Sequence, residues 1–233
     1  MRFFHALKND IRFQIKYGFY FLYAFFSGVY IAVLLLIPSQ YKIMAASLII
    51  LTDPAMLGVF FTGGIWLLEK GEGLHRFWSV SPLRPCEYIL SKSISLAILS
   101  TISADLIVLI CMRSIVRFVS LSFSVFIGAV AYNLIGLIAA SYARSVNHYM
   151  IIAALPTVFL SIPPVLTAFG MTHPLLKIFP GTALWHMIVS SIDAAEHINV
   201  LPGIVLVLWL AVLSVLANKR ISNALQLEGG KNL

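Results

Sequence analysis

LLEKGEGLHRFWSVSPLRPCEYILSK, Leu67 to Lys92, decides how this chain is read. It is the longest polar interruption in a very apolar sequence. It lies between two membrane-length runs and holds four of the sixteen basic residues: Lys70, Arg76, Arg84 and Lys92. A connector this rich in charge and aromatics has a task beyond joining two spans. It reads as the surface through which a membrane part feels a soluble partner.

The rest of the chain supports a membrane setting. Of its 233 residues 60% are hydrophobic and 11% charged, against about 25% charged in soluble domains. Mean hydropathy is +0.95. These values describe an integral membrane protein with one transmembrane domain over residues 1–233. Alternating ten-residue segments are missing, which argues for helices over a barrel. The net charge of +7 would suggest nucleic acid in a soluble domain. Here the basic residues flank apolar spans, so the bilayer accounts for them and no nucleic-acid partner is expected. Cys86 lies in the central loop and Cys111 near the far end of the next span; roughly 25 helical residues put them on the order of 35 Å apart, beyond disulfide reach.

Upstream of the loop, residues 43–68 form the second apolar run, interrupted by Asp53-Pro54. Two readings of that pair stand side by side. Asp53 is an intramembrane carboxylate, or it caps a helix whose first residue is Pro54. The cap explains both residues with one piece of chemistry and is the expectation. Residues 43–52 then form a short interfacial or re-entrant piece. Gly58, Gly63 and Gly64 let a neighbouring helix approach closely. The first span covers residues 17–37. Before it, residues 1–16 form an amphipathic helix with Phe3, Phe4, Leu7, Ile11 and Ile15 on one face. Lys8, Arg12 and Lys16 lie on the other, so the helix is expected in the headgroup plane.

Downstream, the third span covers about residues 88–111. Ser93, Ala97, Ser100 and Ala104 make two small-xxx-small pairs, a seam for helix packing within the chain or across a dimer. Asp105 is an intramembrane acid or an interfacial partner of Arg113. The fourth span is 119–140 and the fifth 149–169. Pro156, Pro163 and Pro164 predict that the fifth is bent or discontinuous, hinting at a pathway. Residues 171–198, broken at Pro174 and Pro180-Gly181, predict short helices dipping into the outer leaflet. The sixth span is 200–217, followed by a polar tail. With six spans and both termini inside, twelve Lys and Arg face inward; Lys42, Arg113, Arg117 and Lys177 face outward. The split obeys the positive-inside rule and places residues 69–88 in the cytoplasm.

Chemistry is sparse. Walker A, HExxH, GxSxG and CxxC signatures are all missing. No two of the six histidines share ligand spacing on one helix. No catalytic residue, metal or other cofactor is expected, and any energy must come from elsewhere. Within the loop, Leu74, Phe77, Trp78 and Val80 make an apolar face beside His75 and Arg76. Ser81-Pro82 begins a turn, and Pro85 starts a short helix. An amphipathic element fixed to two spans is what a lever needs. The same element lying on lipid, with Phe77 and Trp78 as interface anchors, fits composition equally well.

The loop resembles the membrane subunits of type-2 ABC exporters. The resemblance rests on Glu69, Lys70, Glu72, Gly73, Val80, Ser81, Pro82, Leu83, Glu87, Tyr88, Leu90 and Lys92. Asp53-Pro54, Gly58, Phe60 and Gly63 are similar to the subgroup of fluoroquinolone-export permeases. His75-Arg76 departs from a Thr-Leu-like pair. The resemblance implies an all-α permease of six transmembrane helices with an N-terminal interfacial helix, a cytoplasmic coupling helix between spans 2 and 3, and re-entrant outer helices before span 6. It implies a bacterial plasma membrane location and export of an amphiphile such as a drug, peptide antibiotic or lipid-like molecule. A second permease subunit, the same or a sister chain, is implied. So is a cytoplasmic ABC ATPase that carries the ATP and Mg. That ATPase would dock on Glu72, Leu74, His75, Arg76, Phe77, Trp78, Ser81, Pro82, Leu83 and Arg84. Asp53, Asp105, Pro156 and Pro163 are candidate pathway residues. Two alternatives remain open: an intramembrane enzyme using Asp53, Asp105, Asp193 or Glu196, and a non-transporting scaffold or immunity protein.

Overall fold

The computed structural model describes residues 2–80, 83–112, 116–193 and 199–229. Every regular element among them is helical. In chain order they are α1 (Arg2–Lys16), α2 (Phe19–Leu36), α3 (Ser39–Thr52), a π-helical turn (Asp53–Gly58), α4 (Val59–Gly71) and α5 (Leu74–Val80). Then follow α6 (Pro85–Cys111), α7 (Phe118–Ala140), α8 (Val146–Ala168), a 3₁₀ turn (Pro174–Ile178), α9 (Pro180–Ile192) and α10 (Val200–Gly229). Among the described residues five helices are long and apolar enough to cross a bilayer: α2, α6, α7, α8 and α10.

α7 is the axis of the bundle. In its most apolar stretch 72% of residues are buried, against 17% in α10 and 22% in α2. The outer helices therefore turn large apolar side chains outward, including Phe21, Leu36 and Val215. Water would penalise that surface by about 25 cal/mol per Å². A bilayer does not, and a helix satisfies its own backbone there. The chain is a multi-pass membrane protein.

Asp53 does not cap a helix. Its backbone is helical (φ −60°, ψ −57°) and its N–H donates to the Ile49 carbonyl. α3, the π turn and α4 follow one another without a break from Ser39 to Gly71. Residues 43–52 belong to α3 and are no separate interfacial piece. The physical reason is Pro54. It has no N–H for the carbonyl four residues back, and the helix widens into a π turn instead of ending.

Small residues set how closely α4 is embraced. A Cβ on Gly63 would stand 2.0 Å from the Tyr149 ring, and one on Gly58 would stand 2.7 Å from Asn133 Oδ1. Gly64, expected to share this role, faces open space. Tyr149 Oη donates to the Val59 carbonyl at 2.5 Å, locking α8 onto α4. Ser93, Ala97, Ser100 and Ala104 are all buried, so the seam they form is filled within this chain.

Three further expectations change. α8 is not discontinuous: one helix runs through Pro156, Pro163 and Pro164. Pro164 frees the Leu160 carbonyl, and the backbone of Gly181 on α9 packs so closely there that a Cβ would lie 2.6 Å from that oxygen. Pro85 begins α6 itself rather than a separate short helix. Residues 218–229, read as a polar tail, continue α10. Their buried Ile221 and Leu225 join the core, and Arg220 lies over the Tyr142 ring at 3.8 Å.

Candidate functional site around α5 and the charges behind it

The α4–α5 connection turns on Gly73, whose φ of +73° suits a residue without a Cβ. α5 then runs for one and a half to two turns and packs on its neighbours by aromatic contact. The His75 ring lies against Trp66 with centroids 4.1 Å apart. Trp78 meets Tyr88 at 5.9 Å, and Trp66 meets Tyr88 at the same distance. His75 is only 1% exposed. The family resemblance makes it a docking residue, but the ring of Trp66 covers it. Arg76 and Phe77 point outward, Phe77 with 60% exposure. Leu74, Trp78 and Leu83 are half-buried, and Glu72 and Arg84 are exposed. Ser81 and Pro82 lie outside the described residues. The Arg84 N–H donates to Glu87 Oε2 at 2.9 Å, closing the first turn of α6.

Behind Tyr88 stands a buried ionic cluster. Lys92 Nζ lies 2.8 Å from Asp10 Oδ1 and 2.5 Å from Glu69 Oε1. Tyr88 Oη donates to Glu69 Oε2 at 2.7 Å, and Ser91 Oγ donates to Asp10 Oδ2 at 2.5 Å. One helical turn further, Gln14 Nε2 donates to Ser95 Oγ at 2.6 Å. Lys92 and Glu69 were read as charges of the inner loop. Both are buried, at 1% and 2% exposure. Two acids around one ammonium leave a net negative charge shielded from water, which is tolerable only with this many donors.

The cluster explains the seat of α1. Ala6, Asp10 and Gln14 repeat every four residues and face α6. The amphipathic reading gave α1 two faces; it has three. Phe4 and Ile15 stay exposed beside the contact stripe, and Lys8, Arg12 and Lys16 lie on the remaining side. A shallow cavity of about 260 Å³ lies between α1 and α5, lined by Arg2, His5 and Asn9 on one side and Phe77, Trp78 and Leu83 on the other. Tyr17 donates to Glu72 across the same end of the bundle. That bond holds the Tyr17 phenol above its ordinary pKa.

The profile of the fluoroquinolones export permease protein family matches residues 1–225, which includes α1, the α4–α6 loop and nearly all of α10. This chain belongs to that family. Fluoroquinolones export permease proteins from two strains of Mycobacterium tuberculosis, CDC 1551 / Oshkosh and H37Rv, are each 26% identical to it over 176 residues. The alignments cover 75% of this chain and 74% of each relative. No solved structure matches.

The intramembrane polar residues of this permease-family member separate into unconnected groups. Asp53 is 2% exposed, and its Oδ2 accepts from Ser100 Oγ at 3.1 Å. Its Oδ1 has no hydrogen-bond partner among the described residues. Asp105 is half-buried, and its Oδ2 accepts from Ser122 Oγ at 2.7 Å on α7. Its expected partner Arg113 lies outside the described residues, as does Glu196. Among the described residues no hydrogen bond joins Asp53 to Asp105. Thr62 Oγ1 donates to the Gly58 carbonyl at 2.6 Å, and Asn133 Nδ2 donates to the Ser93 carbonyl at 3.0 Å. Pro163 is buried and Pro156 half-buried on α8.

Sequence reasoning missed Asp10, Gln14 and Ser91 as parts of this site. The available signal was an acid and an amide four residues apart, with Asp10 the single acid on a helix rich in basic and apolar residues. A lone Asp10 in a headgroup-plane helix has no purpose unless a cation waits on the other side.

Proposed function

We propose that this chain is the permease subunit of an ATP-driven exporter of the ABC class, in a bacterial plasma membrane with both termini in the cytoplasm. The unbroken run from Ser39 to Gly71 serves as a sixth crossing. At about 1.5 Å per residue it is on the order of 50 Å long, ample for a hydrocarbon core of about 30 Å. α5 is the coupling helix, and two cytoplasmic ATPase subunits dock on it and on the adjoining face of α1. The contacts are Glu72, Arg76, Phe77 and Arg84, with Ser81 and Pro82 in the same loop. His75, Leu74, Trp78 and Leu83 act from behind by holding α5 in place. A second permease subunit, identical or a sister chain, completes the pathway. ATP and Mg belong to the partner, and this chain supplies no catalytic group. The cargo is an amphiphile; the name of the Mycobacterium tuberculosis relatives makes fluoroquinolones the first to try.

One observation carries the reading. α5 offers an exposed Phe77 and Arg76, while its inner side meets Trp66 and Tyr88, which lead through Glu69 and Lys92 to Asp10. A push on α5 therefore bears on α1, α4 and α6 together. Because packed elements move as units, such a push tilts helices rather than deforming a loop.

Reconstitution with the source organism's ABC ATPase subunits, tested singly, checks this. One of them should bind the purified permease and gain substrate-stimulated ATPase activity. Phe77→Ala should abolish the stimulation without lowering the Tm of the permease, and Arg76→Glu should abolish it too. Export that proceeds without nucleotide, or an ATPase fully stimulated by both variants, would overturn the proposal.

A further inference from the structure

The exporter reading has no task for Asp53, yet this acid lies deep in the bundle. It opens the π turn Asp53–Gly58 that joins α3 to α4, and it is 2% exposed. α6 and α2 flank it. Ser100 Oγ on α6 donates to Oδ2 at 3.1 Å. Tyr23 and Tyr30 on α2 stand close enough to Asp53 to interact with it electrostatically. Tyr23 is itself 1% exposed. It also stands near Ser100, but no bond of ordinary length reaches its Oη among the described residues. One turn further along each helix, Ser27 Oγ of α2 and Ser103 Oγ of α6 share a hydrogen bond of 2.5 Å. α2 is thereby fastened to α6 beside the acid.

Among the described residues no cation reaches Asp53. α3 has Tyr41 and Lys42 only near its start, and α4 has Glu69 and Lys70 only near its end. On α6, Lys92 lies about two turns before Ser100 and is bound to Asp10 and Glu69. Asp105, beyond Ser100, is bonded to Ser122. The titratable residue of α7 is Tyr132. Those of α8 are His148, exposed in the first turn, and Tyr149, which is committed to the Val59 carbonyl. An ionised carboxylate cut off from water, with one donor and no cation, takes up a proton rather than stay charged. The two oxygens are unequal in this respect. Oδ2 receives the Ser100 hydrogen and serves as the C=O. Oδ1 has no donor aimed at it, and an O–H there becomes a donor in need of an acceptor. Tyr23 Oη is such an acceptor.

We infer that Asp53 is a proton-binding site: Oδ1 carries a proton that it donates to Tyr23 Oη, clipping the π turn to α2 on one side and, through Ser100, to α6 on the other. The proton leaves only when water reaches the turn, so its release follows a tilt of α4 that parts the turn from α6. The junction of α3 and α4 is thereby made responsive to proton supply. This goes beyond the exporter reading and does not depend on it.

Infrared difference spectroscopy of the full chain in dodecyl maltoside, a detergent without a carbonyl, tests the site. A protonated carboxyl shows a C=O stretch above the amide I band; a carboxylate does not. At about pH 7 a solvated aspartate, with its pKa of about 3.9, is ionised. The parent minus Asp53→Asn spectrum should nevertheless contain the protonated band, and the band should shift in deuterium oxide. Ser100→Ala should keep the band and move it to higher frequency, because the C=O loses its donor. That comparison holds even if Asp53→Asn fails to fold. Thermal melts give a second reading. The folded chain holds one proton that the unfolded chain has released above about pH 4. The parent's folding constant should therefore fall about tenfold per pH unit relative to Asp53→Asn while the proton stays bound. The Tm of Asp53→Asn should exceed that of the parent by a margin that widens from about pH 6 to about pH 8. A difference spectrum without the band, a band indifferent to Ser100→Ala, or a Tm margin constant with pH would overturn the inference. No ATP or partner subunit is present, so a failure here leaves the exporter reading intact, and a failure of ATPase coupling leaves this site intact.

Discussion

Replacing Lys92 by methionine should be among the most damaging single changes on this chain, and one further substitution should partly repair it. Lys92 sits 2.8 Å from Asp10 and 2.5 Å from Glu69, with 1% exposure. At 2.8 Å and an effective dielectric of about 20, one such contact is worth about 6 kcal/mol of Coulomb attraction. Desolvation of the ions offsets most of that. What remains decisive is what each deletion leaves behind. Lys92→Met leaves two carboxylates buried side by side, and breaking a buried pair this way costs about 3–5 kcal/mol. Asp10→Asn leaves one ammonium facing one carboxylate and loses a charged hydrogen bond, about 1.5–3 kcal/mol. In the Lys92→Met background the sign reverses, because Asp10→Asn then removes a like-charge neighbour of Glu69. Thermal unfolding of detergent-solubilised protein, followed by size-exclusion fluorescence, reads these differences. The Lys92→Met Tm should fall on the order of 10 °C. The Asp10→Asn, Lys92→Met double variant should unfold above Lys92→Met alone. A Lys92→Met Tm within 2 °C of the parent, on this roughly 10 °C scale, would refute the buried triad. So would an Asp10→Asn cost that is the same in both backgrounds.

Other outcomes follow from the same packing. Gly63→Ala should cost about 1–3 kcal/mol, since its Cβ would collide with the Tyr149 ring, while Gly64→Ala should be neutral or slightly stabilising; paired Tm measurements decide. Asp53→Asn should leave the Tm unchanged or raised, because it removes a buried carboxyl whose Oδ1 has no partner among the described residues. If export also survives Asp53→Asn and Asp105→Asn together, neither acid serves catalysis. Trp78→Ala should lower the Tm by removing its contact with Tyr88, whereas Phe77→Ala should not, because that ring is mostly exposed; parallel melts separate packing from docking. Arg117→Ala should loosen α9 through the loss of its bond to the Ser190 carbonyl, seen as faster hydrogen exchange in residues 188–192.

Composition and hydropathy by themselves determined that the chain is a helical membrane protein, and they located α2, α6, α7 and α8 to within a few residues. Apolar length is a local property, and a bilayer demands it of any crossing helix whatever its neighbours. The loop from Leu67 to Lys92 was legible for the same reason, since polar residues between spans must find water or a partner. Tertiary structure decided the rest. Asp53-Pro54 reads as a cap when only the adjacent chain is weighed, yet the donor that fills part of its need is Ser100, 47 residues away. Lys92 and Glu69 read as loop charges until Asp10, 82 residues from Lys92, closes the cluster. His75 reads as a surface residue until Trp66 covers it. In each case a polar or aromatic group meets its partner across the bundle. Burial and pairing of that kind depend on which helices touch, and hydropathy along one chain carries no record of it.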